Sequence, residues 1–174
     1  YISIGVSCNV KYQIDKYKGN KATLFFDYLL SNMCSVIKLL ECEDINKILN
    51  KNSIVLHKKN PVKNNNSRIV IKSLASCESI HDLPINFNNE DINNFIDKYK
   101  RRYYRIINYI NSGEKILFLR YNKITLDEKN RFVNAVLKIN PDCNFSLVNI
   151  YTVKPSQIKC KREMCTYFRH TNKG

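Results

Sequence analysis

Glycine is scarce in this sequence: the 174 residues include only four. Neither Gly-x-x-x-x-Gly-Lys nor Gly-x-Gly-x-x-Gly occurs, so the chain lacks the glycine-rich loops that most often cradle nucleotide phosphates. No internal repeat is evident either. The function therefore has to be sought in individual side chains.

Long apolar runs are missing as well. No stretch approaches the roughly 18 residues that a membrane span needs, and the first residues lack the charged-then-apolar layout of a signal peptide. The seven cysteines are odd in number and lack the spacing of a small secreted protein, which indicates reduced thiols. The sequence predicts a soluble, cytoplasmic protein with no membrane partner.

Acidic residues are few. Lys and Arg number 29 against 15 Asp and Glu, giving a formal net charge of +14 and a pI of about 9.5. Such a charge attracts polyanions and predicts nonspecific binding to nucleic acid. The chain is also rich in Asn, Lys and Ile, a bias that an AT-rich genome produces without selection for binding. The charge alone does not assign a dedicated nucleic-acid function.

The hydrophobic periodicity predicts strands that alternate with helices. This is typical of an α/β fold with a mixed, partly parallel sheet flanked by helices. We expect a single α/β domain over residues 1–153, followed by a basic C-terminal extension over 154–174. The predicted helices are residues 8–18, 34–40, 43–49, 90–112 and one that begins after Thr125; the predicted strands are 53–57, 68–74, 115–121 and 144–153, with an exposed loop over 58–67.

The C-terminal half has the clearest pattern. An apolar run over residues 115–121 is followed by a capping box that begins at Thr125 and by a second strand over 144–153. A strand, a helix and a second strand form a βαβ unit, which predicts parallel neighbours with a right-handed crossover.

The longest predicted helix, residues 90–112, is amphipathic and carries a basic run with interleaved tyrosines. Such a run can form a phosphate-binding face. More often it is the solvated side of an amphipathic helix, and the sequence favours that interpretation.

The sharpest chemical feature is Cys8, which follows a short apolar strand that breaks at Gly5 and stands at a predicted helix start. The N–H groups and the dipole at a helix N-terminus can lower the pKa of a thiol and favour the nucleophilic thiolate. The alternative is that Cys8 is a small buried hydrophobe beside the first strand.

Two further residues carry possible chemistry. Asp27 lies inside a dense aromatic cluster, where a buried carboxylate needs a hydrogen-bond donor from the backbone, a tyrosine or an imidazole. His81 follows a strand in a loop that Pro84 helps to fix. By itself, His81 is more readily interpreted as a loop histidine that ties down its own backbone.

Together these residues resemble a family of papain-like cysteine peptidases known from bacteria and large DNA viruses. The resemblance covers roughly residues 2–121. It rests on four segments in the family's order: Ser3 to Cys8, Phe25 to Tyr28, His81 to Leu83, and Ile116 to Arg120. If the protein is viral, the predicted cytoplasm would be that of the host.

The resemblance implies a cysteine hydrolase: a peptidase, a deubiquitinase-like enzyme or an acyltransferase with a protein or peptide substrate. Cys8 would attack the acyl carbon and His81 would carry the proton. Asp27 or Asp82 would orient the imidazole, Asp27 being sterically the better of the two, with Asn122 as a third candidate. It also implies an alternative papain-like α+β fold, with the nucleophile helix on an antiparallel sheet.

Backbone N–H groups of Cys8 and Asn9, helped by Ser7, would hold the oxyanion. The sequence departs from the family at this point, because Asn is common where this chain has Ser7. It departs again at Phe25, where Pro is common, and at Tyr28, where Trp is common. A hydroxyl at Ser7 would bind an oxyanion less well than an amide.

A different class of function is also compatible with the sequence. The fold could persist without activity, as a basic adaptor that binds a host protein or nucleic acid. A zinc site at Cys160, Cys165 and His170 is disfavoured because a fourth ligand and a Cys-x2-Cys knuckle are missing. We therefore predict no metal and no cofactor.

Overall fold

The computed structural model describes residues 1–6, 8–19, 22–56, 67–74 and 76–152, and the backbone of 163–170. Most of the predicted loop over 58–67 lies outside these residues. The described helices are α1 (Cys8–Lys18), α2 (Met33–Leu40), α3 (Ile45–Ile48), α4 (Asn89–Asn111) and α5 (Leu126–Ile139). The described strands are β1 (Ile2–Ser3), β2 (Leu29–Leu30), β3 (Ile54–Leu56), β4 (Ile69–Ile71), β5 (Glu78–Ser79), β6 (Ile116–Tyr121), β7 (Phe145–Thr152) and β8 (Glu163–His170).

The larger sheet has the order β1-β6-β7-β8. Strands β1 and β7 both run parallel to β6, while β8 runs antiparallel to β7. The predicted βαβ unit is confirmed as β6-α5-β7. The predicted capping box is also present, because Thr125 accepts from the N–H of Glu128 and the Glu128 carboxylate accepts from the N–H of Thr125.

A second, smaller sheet has the order β2-β5-β4-β3 and is antiparallel throughout. It is built from the middle of the chain, between the first strand and the βαβ unit of the parallel sheet. Helices flank both sheets, so the predicted single α/β domain with a mixed sheet is confirmed. The fold thus combines the parallel sheet expected from periodicity with an antiparallel sheet.

Two aromatic clusters fill the core. Phe118, Phe132 and Phe145 meet edge to face between β6, α5 and β7. Phe25 and Tyr99 pack edge to face where α4 covers the turn before β2. Edge-to-face pairs are a preferred arrangement of aromatic rings and add to the burial of apolar area.

Helix α4 buries the stripe expected from its periodicity, with Phe95, Ile96, Tyr99, Tyr103, Ile106 and Ile110 inside. Helix α1 has the predicted bounds. Its buried residues are Lys11 and Ile14, while Tyr12 and Tyr17 are exposed.

Residues 163–170 of the predicted basic extension form β8, which pairs along the whole of β7. The division of the chain at residue 153 stays a prediction. Among the helices described above, none is long and apolar enough to cross a membrane.

Candidate active site

The turn between β1 and α1 sets the position of Cys8. Gly5 and Val6 both have positive φ, at 83° and 85°. A Cβ on Gly5 would lie 1.8 Å from Oγ of Ser31, so both the conformation and the space at this position require glycine. Val6 is β-branched and rarely adopts this conformation, which makes the turn locally strained. After this turn, Cys8 stands as the first residue of α1.

Cys8 and His81 are brought together although 73 positions separate them. The sulfur of Cys8 lies 3.8 Å from Nε2 of His81, within hydrogen-bonding reach of a thiol. Cys8 is half-buried and His81 is exposed. A separation above about 6 Å would have made proton transfer between them untenable. The geometry therefore permits the predicted nucleophile and base to act as a pair.

The electrostatics of Cys8 differ from the expectation for a helix start. Burial raises the pKa of the Cys8 thiol, a backbone hydrogen bond from its own N–H lowers it, and the charge of Asp82 raises it further. The net effect is a pKa above the usual value. Burial therefore opposes the thiolate that the helix start was expected to favour, since desolvation outweighs the favourable N–H contact.

Asp82 is engaged away from the imidazole. Its carboxylate accepts hydrogen bonds from Ser79 Oγ, Lys98 Nζ and Tyr99 Oη, the last at 2.6 Å. Burial opposes ionisation, but these three hydrogen bonds outweigh it and hold the pKa of the Asp82 carboxyl below its usual range. Asp82 thus fastens the His81 loop to α4.

Asp27 is buried beside Lys11. Its Oδ2 accepts from the backbone N–H of Leu24 at 2.7 Å and lies 3.7 Å from Lys11 Nζ. The expected backbone donor is therefore present. Burial raises the pKa of Asp27 to about 6 against the opposing effect of this hydrogen bond and of the nearby cations. Lys11 also donates to the carbonyl of Ala22 at 2.8 Å, so this cluster ties α1 to the aromatic turn.

The remaining predicted residues fall into separate places. Asn122 accepts from the N–H of Lys123 through its side chain and belongs to the turn after β6. Asn9 is exposed on α1, and Ser7 lies outside the described residues. In the described part of the chain, His81 hydrogen-bonds to Cys8 and to neither predicted orienting carboxylate. The orienting and oxyanion roles of these residues stay predictions.

Sequence reasoning gave no site role to four residues that build this site: Lys11, Lys98, Tyr99 and Arg120. Apart from the pair that Lys11 forms with Asp15 inside α1, their polar partners are distant in sequence or lie in a loop. A weak signal existed for Lys11, which lies three residues after Cys8 and is spaced i,i+4 from Asp15 on the same helix. Arg120 ends the family segment Ile116 to Arg120, but nothing in the sequence indicated its buried contacts.

Across the described ranges, no group of three His, Cys, Asp or Glu side chains is placed to hold a metal ion. The side chains of Cys160, Cys165 and His170 lie outside those described.

Comparison with known proteins gives a family. A model described as "Putative papain-like cysteine peptidase (DUF1796)" matches residues 1–152. The chain belongs to this family. The resemblance inferred from the sequence is confirmed, and it extends beyond residue 121 to include the whole βαβ unit.

A relative occurs in a large DNA virus. The chain is 26% identical over 172 residues to uncharacterized protein R408 of Acanthamoeba polyphaga mimivirus, and the match covers 84% of this chain and 75% of the relative. No solved structure matches.

Proposed function

We propose that the protein is a cysteine hydrolase that works through an acyl-enzyme on Cys8, with His81 as its general base and acid. The observation that carries this proposal is the 3.8 Å separation between the sulfur and Nε2. The family description supports the same reaction class at a coarser level.

The raised pKa of Cys8 indicates how the first step runs. The thiol is protonated at rest near neutral pH, so the nucleophile is generated as the reaction proceeds rather than stored as a thiolate. His81 takes the proton from sulfur while sulfur bonds to the acyl carbon. The imidazolium then returns this proton to the departing amine or alcohol, which leaves an acyl-thioester on Cys8.

Water completes the cycle. His81 removes a proton from the water that attacks the thioester, and the proton passes to the sulfur as the acid product leaves. In each half of the reaction an oxyanion develops next to the start of α1. There the first N–H groups of a helix point toward solvent or ligand, because they have no acceptor within the helix.

The exposure of the pair favours a large substrate. Because His81 is exposed and Cys8 is half-buried, the site opens to solvent. A segment of a protein or peptide could reach it without a channel. We therefore propose amide or isopeptide bonds in proteins as the substrate class, with ester cleavage or acyl transfer as chemistry available to the same intermediate.

Acylation with p-nitrophenyl acetate tests this proposal without knowledge of the natural substrate. Attack by Cys8 releases p-nitrophenolate and leaves an acetyl group on the sulfur. We expect a burst of p-nitrophenolate and acetyl-Cys8 in the peptide map of the wild type, slowed by about 10²-fold or more in His81→Ala.

Cys34→Ser is a control, since Cys34 is a half-buried thiol on α2. It should keep the wild-type burst, while Cys8→Ala should lose it. A burst of equal size in Cys8→Ala, or acetylation that is indifferent to His81, would contradict the proposal.

A further inference from the structure

Arg120 is a buried cation beside the nucleophile turn. It lies near the end of β6, with a side chain that is only 4% exposed. Its Nη1 donates to the carbonyl of Ile4 at 2.6 Å and its Nη2 donates to the carbonyl of Ser31 at 3.3 Å. One guanidinium therefore joins the end of β1 to the segment that precedes α2.

Burial of this charge lowers the stability of the fold, and no ion pair in the described part of the chain offsets that cost. In the described part of the chain no carboxylate pairs with Arg120, and its buried Nε has no hydrogen-bond partner. Burial lowers the pKa of Arg120 to about 10, while the charge of Glu128 acts weakly in the other direction. A buried charge held only by carbonyl groups is expensive.

The two carbonyls that Arg120 holds bracket the turn to Cys8. Ile4 immediately precedes the positive-φ residues Gly5 and Val6, and its N–H donates to the carbonyl of Leu119 at 3.0 Å. Ser31 packs against Gly5 so closely that a Cβ has no room there. Arg120 thus holds the backbone on both sides of the contact between Gly5 and Ser31, where the turn toward α1 begins.

We propose that Arg120 is a positioning residue for acyl transfer: by holding the Ile4 and Ser31 carbonyls it fixes the turn that places the Cys8 N–H against the developing oxyanion. This inference rests on the proposed function. It assigns Arg120 no contact with substrate, and its effect passes through the backbone that follows Ile4.

Two reactions of the same thiol separate positioning from general loosening of the fold. Acetylation by p-nitrophenyl acetate passes through a tetrahedral oxyanion, which needs an aligned N–H donor. Alkylation by iodoacetamide displaces iodide from carbon and forms no oxyanion. Loss of alignment slows acetylation selectively, whereas loss of the folded site slows both reactions.

Arg120→Met and Arg120→Lys are the informative variants. Methionine fills the space without donors or charge, and lysine restores donation to a carbonyl. We expect the ratio of acetylation to alkylation at Cys8 to fall by about 10-fold or more in Arg120→Met, because a misplacement of about 1 Å can cost as much as 10²-fold. Arg120→Lys should show a smaller fall in this ratio than Arg120→Met. If the methionine variant does not fold, the lysine variant is compared with the wild type instead.

Arg131→Met is the matched control. Arg131 is a half-exposed arginine on α5 that lies 3.9 Å from Glu41. The Arg131→Met variant should leave the ratio of acetylation to alkylation at Cys8 unchanged. An unchanged ratio in both Arg120 variants, or an equal fall in the two rates, overturns the inference.

Hydrogen exchange of the peptide that contains residues 2–10 separates the two proposals. We expect faster exchange there in Arg120→Met than in the wild type. If the wild type forms no acetyl-Cys8 but this exchange still rises, the proposed function is overturned while the hold of Arg120 on the turn stands. If exchange and ratio are both unchanged, Arg120 has no positioning role.

Discussion

At the scale of single residues, the site depends on positions where tertiary contacts overrule local preference. Gly5 is the clearest example, because its positive φ disfavours a side chain and its contact with Ser31 leaves no space for one. Gly113 also has a positive φ, of 74°, but a Cβ there would meet nothing within 4 Å. A comparison of substitutions at the two glycines therefore separates the cost of the left-handed backbone from the cost of the steric contact.

Gly5→Ala should lower the free energy of unfolding by more than Gly113→Ala does. The left-handed conformation costs an L-residue roughly 1–2 kcal/mol in either variant. Only the alanine at Gly5 must also displace Ser31. Denaturant unfolding of the two variants measures the difference, and equal losses would show that Ser31 yields without cost.

Asp27 should make stability depend on pH. Its pKa rises from 3.8 to about 6 in the folded protein. Between these values the folded protein holds a proton that the unfolded chain has released, so the free energy of unfolding falls as pH rises. A difference of this size corresponds to about 3 kcal/mol.

Asp27→Asn removes this titration. Unfolding by urea between about pH 4 and about pH 7 should show a shallower decline in Asp27→Asn than in the wild type. Parallel pH profiles for the two proteins would contradict the assigned protonation.

At the scale of elements, α4 does more than cover the core. The side chains of Lys98 and Tyr99 reach from α4 to Asp82 and fasten the loop that presents His81. The basic residues of this helix are thus only partly a solvated face, because Lys98 binds a carboxylate and Arg102 lies over the ring of Tyr99. Helix α4 thus helps to position His81, in the same way that α1 positions Cys8.

Tyr99→Phe should loosen the His81 loop while leaving the ring in place. Loss of the hydroxyl removes one of the hydrogen bonds to a charged Asp82, worth about 1.5–3 kcal/mol of stability. We also expect alkylation of Cys8 by iodoacetamide to slow several-fold.

Tyr103→Phe is the matched control, one turn farther along α4. Its hydroxyl donates to the carbonyl of Cys42 at 3.2 Å rather than to the His81 loop. Alkylation of Cys8 should be unchanged in this variant. Equal effects of the two substitutions would show that α4 acts only through general stability.

At the scale of the whole molecule, the parts that could be predicted from the sequence are those with local causes. The βαβ unit followed from periodicity and from the Thr125 capping box, and the bounds of α1 followed from spacing. The pairing of Cys8 with His81 was predicted from the ordered family motifs, since neither residue alone indicates its partner. The buried contacts of Lys11 and Arg120 escaped prediction because, apart from the Lys11–Asp15 pair, their partners are groups brought near only by the fold.

The net charge of +14 should act on the whole surface rather than at the site. We expect weak binding to single-stranded DNA that decreases steeply with salt, because bound phosphates release counterions. Fluorescence anisotropy from about 50 mM to about 200 mM salt measures this dependence. Cys8→Ala should bind as the wild type does, and salt-independent binding would contradict an electrostatic origin.

The central claim is that Cys8 reacts because His81 lies beside it, and Cys42 provides an internal comparison. Both thiols are half-buried and burial raises the pKa of each, but of the two only Cys8 has an imidazole within hydrogen-bonding reach among the described residues. The decisive measurement is the rate of iodoacetamide alkylation at each thiol, followed by peptide mapping near neutral pH. The account predicts faster labelling of Cys8 than of Cys42 in the wild type and comparable slow labelling in His81→Ala; equal labelling of Cys8 in both proteins would contradict it.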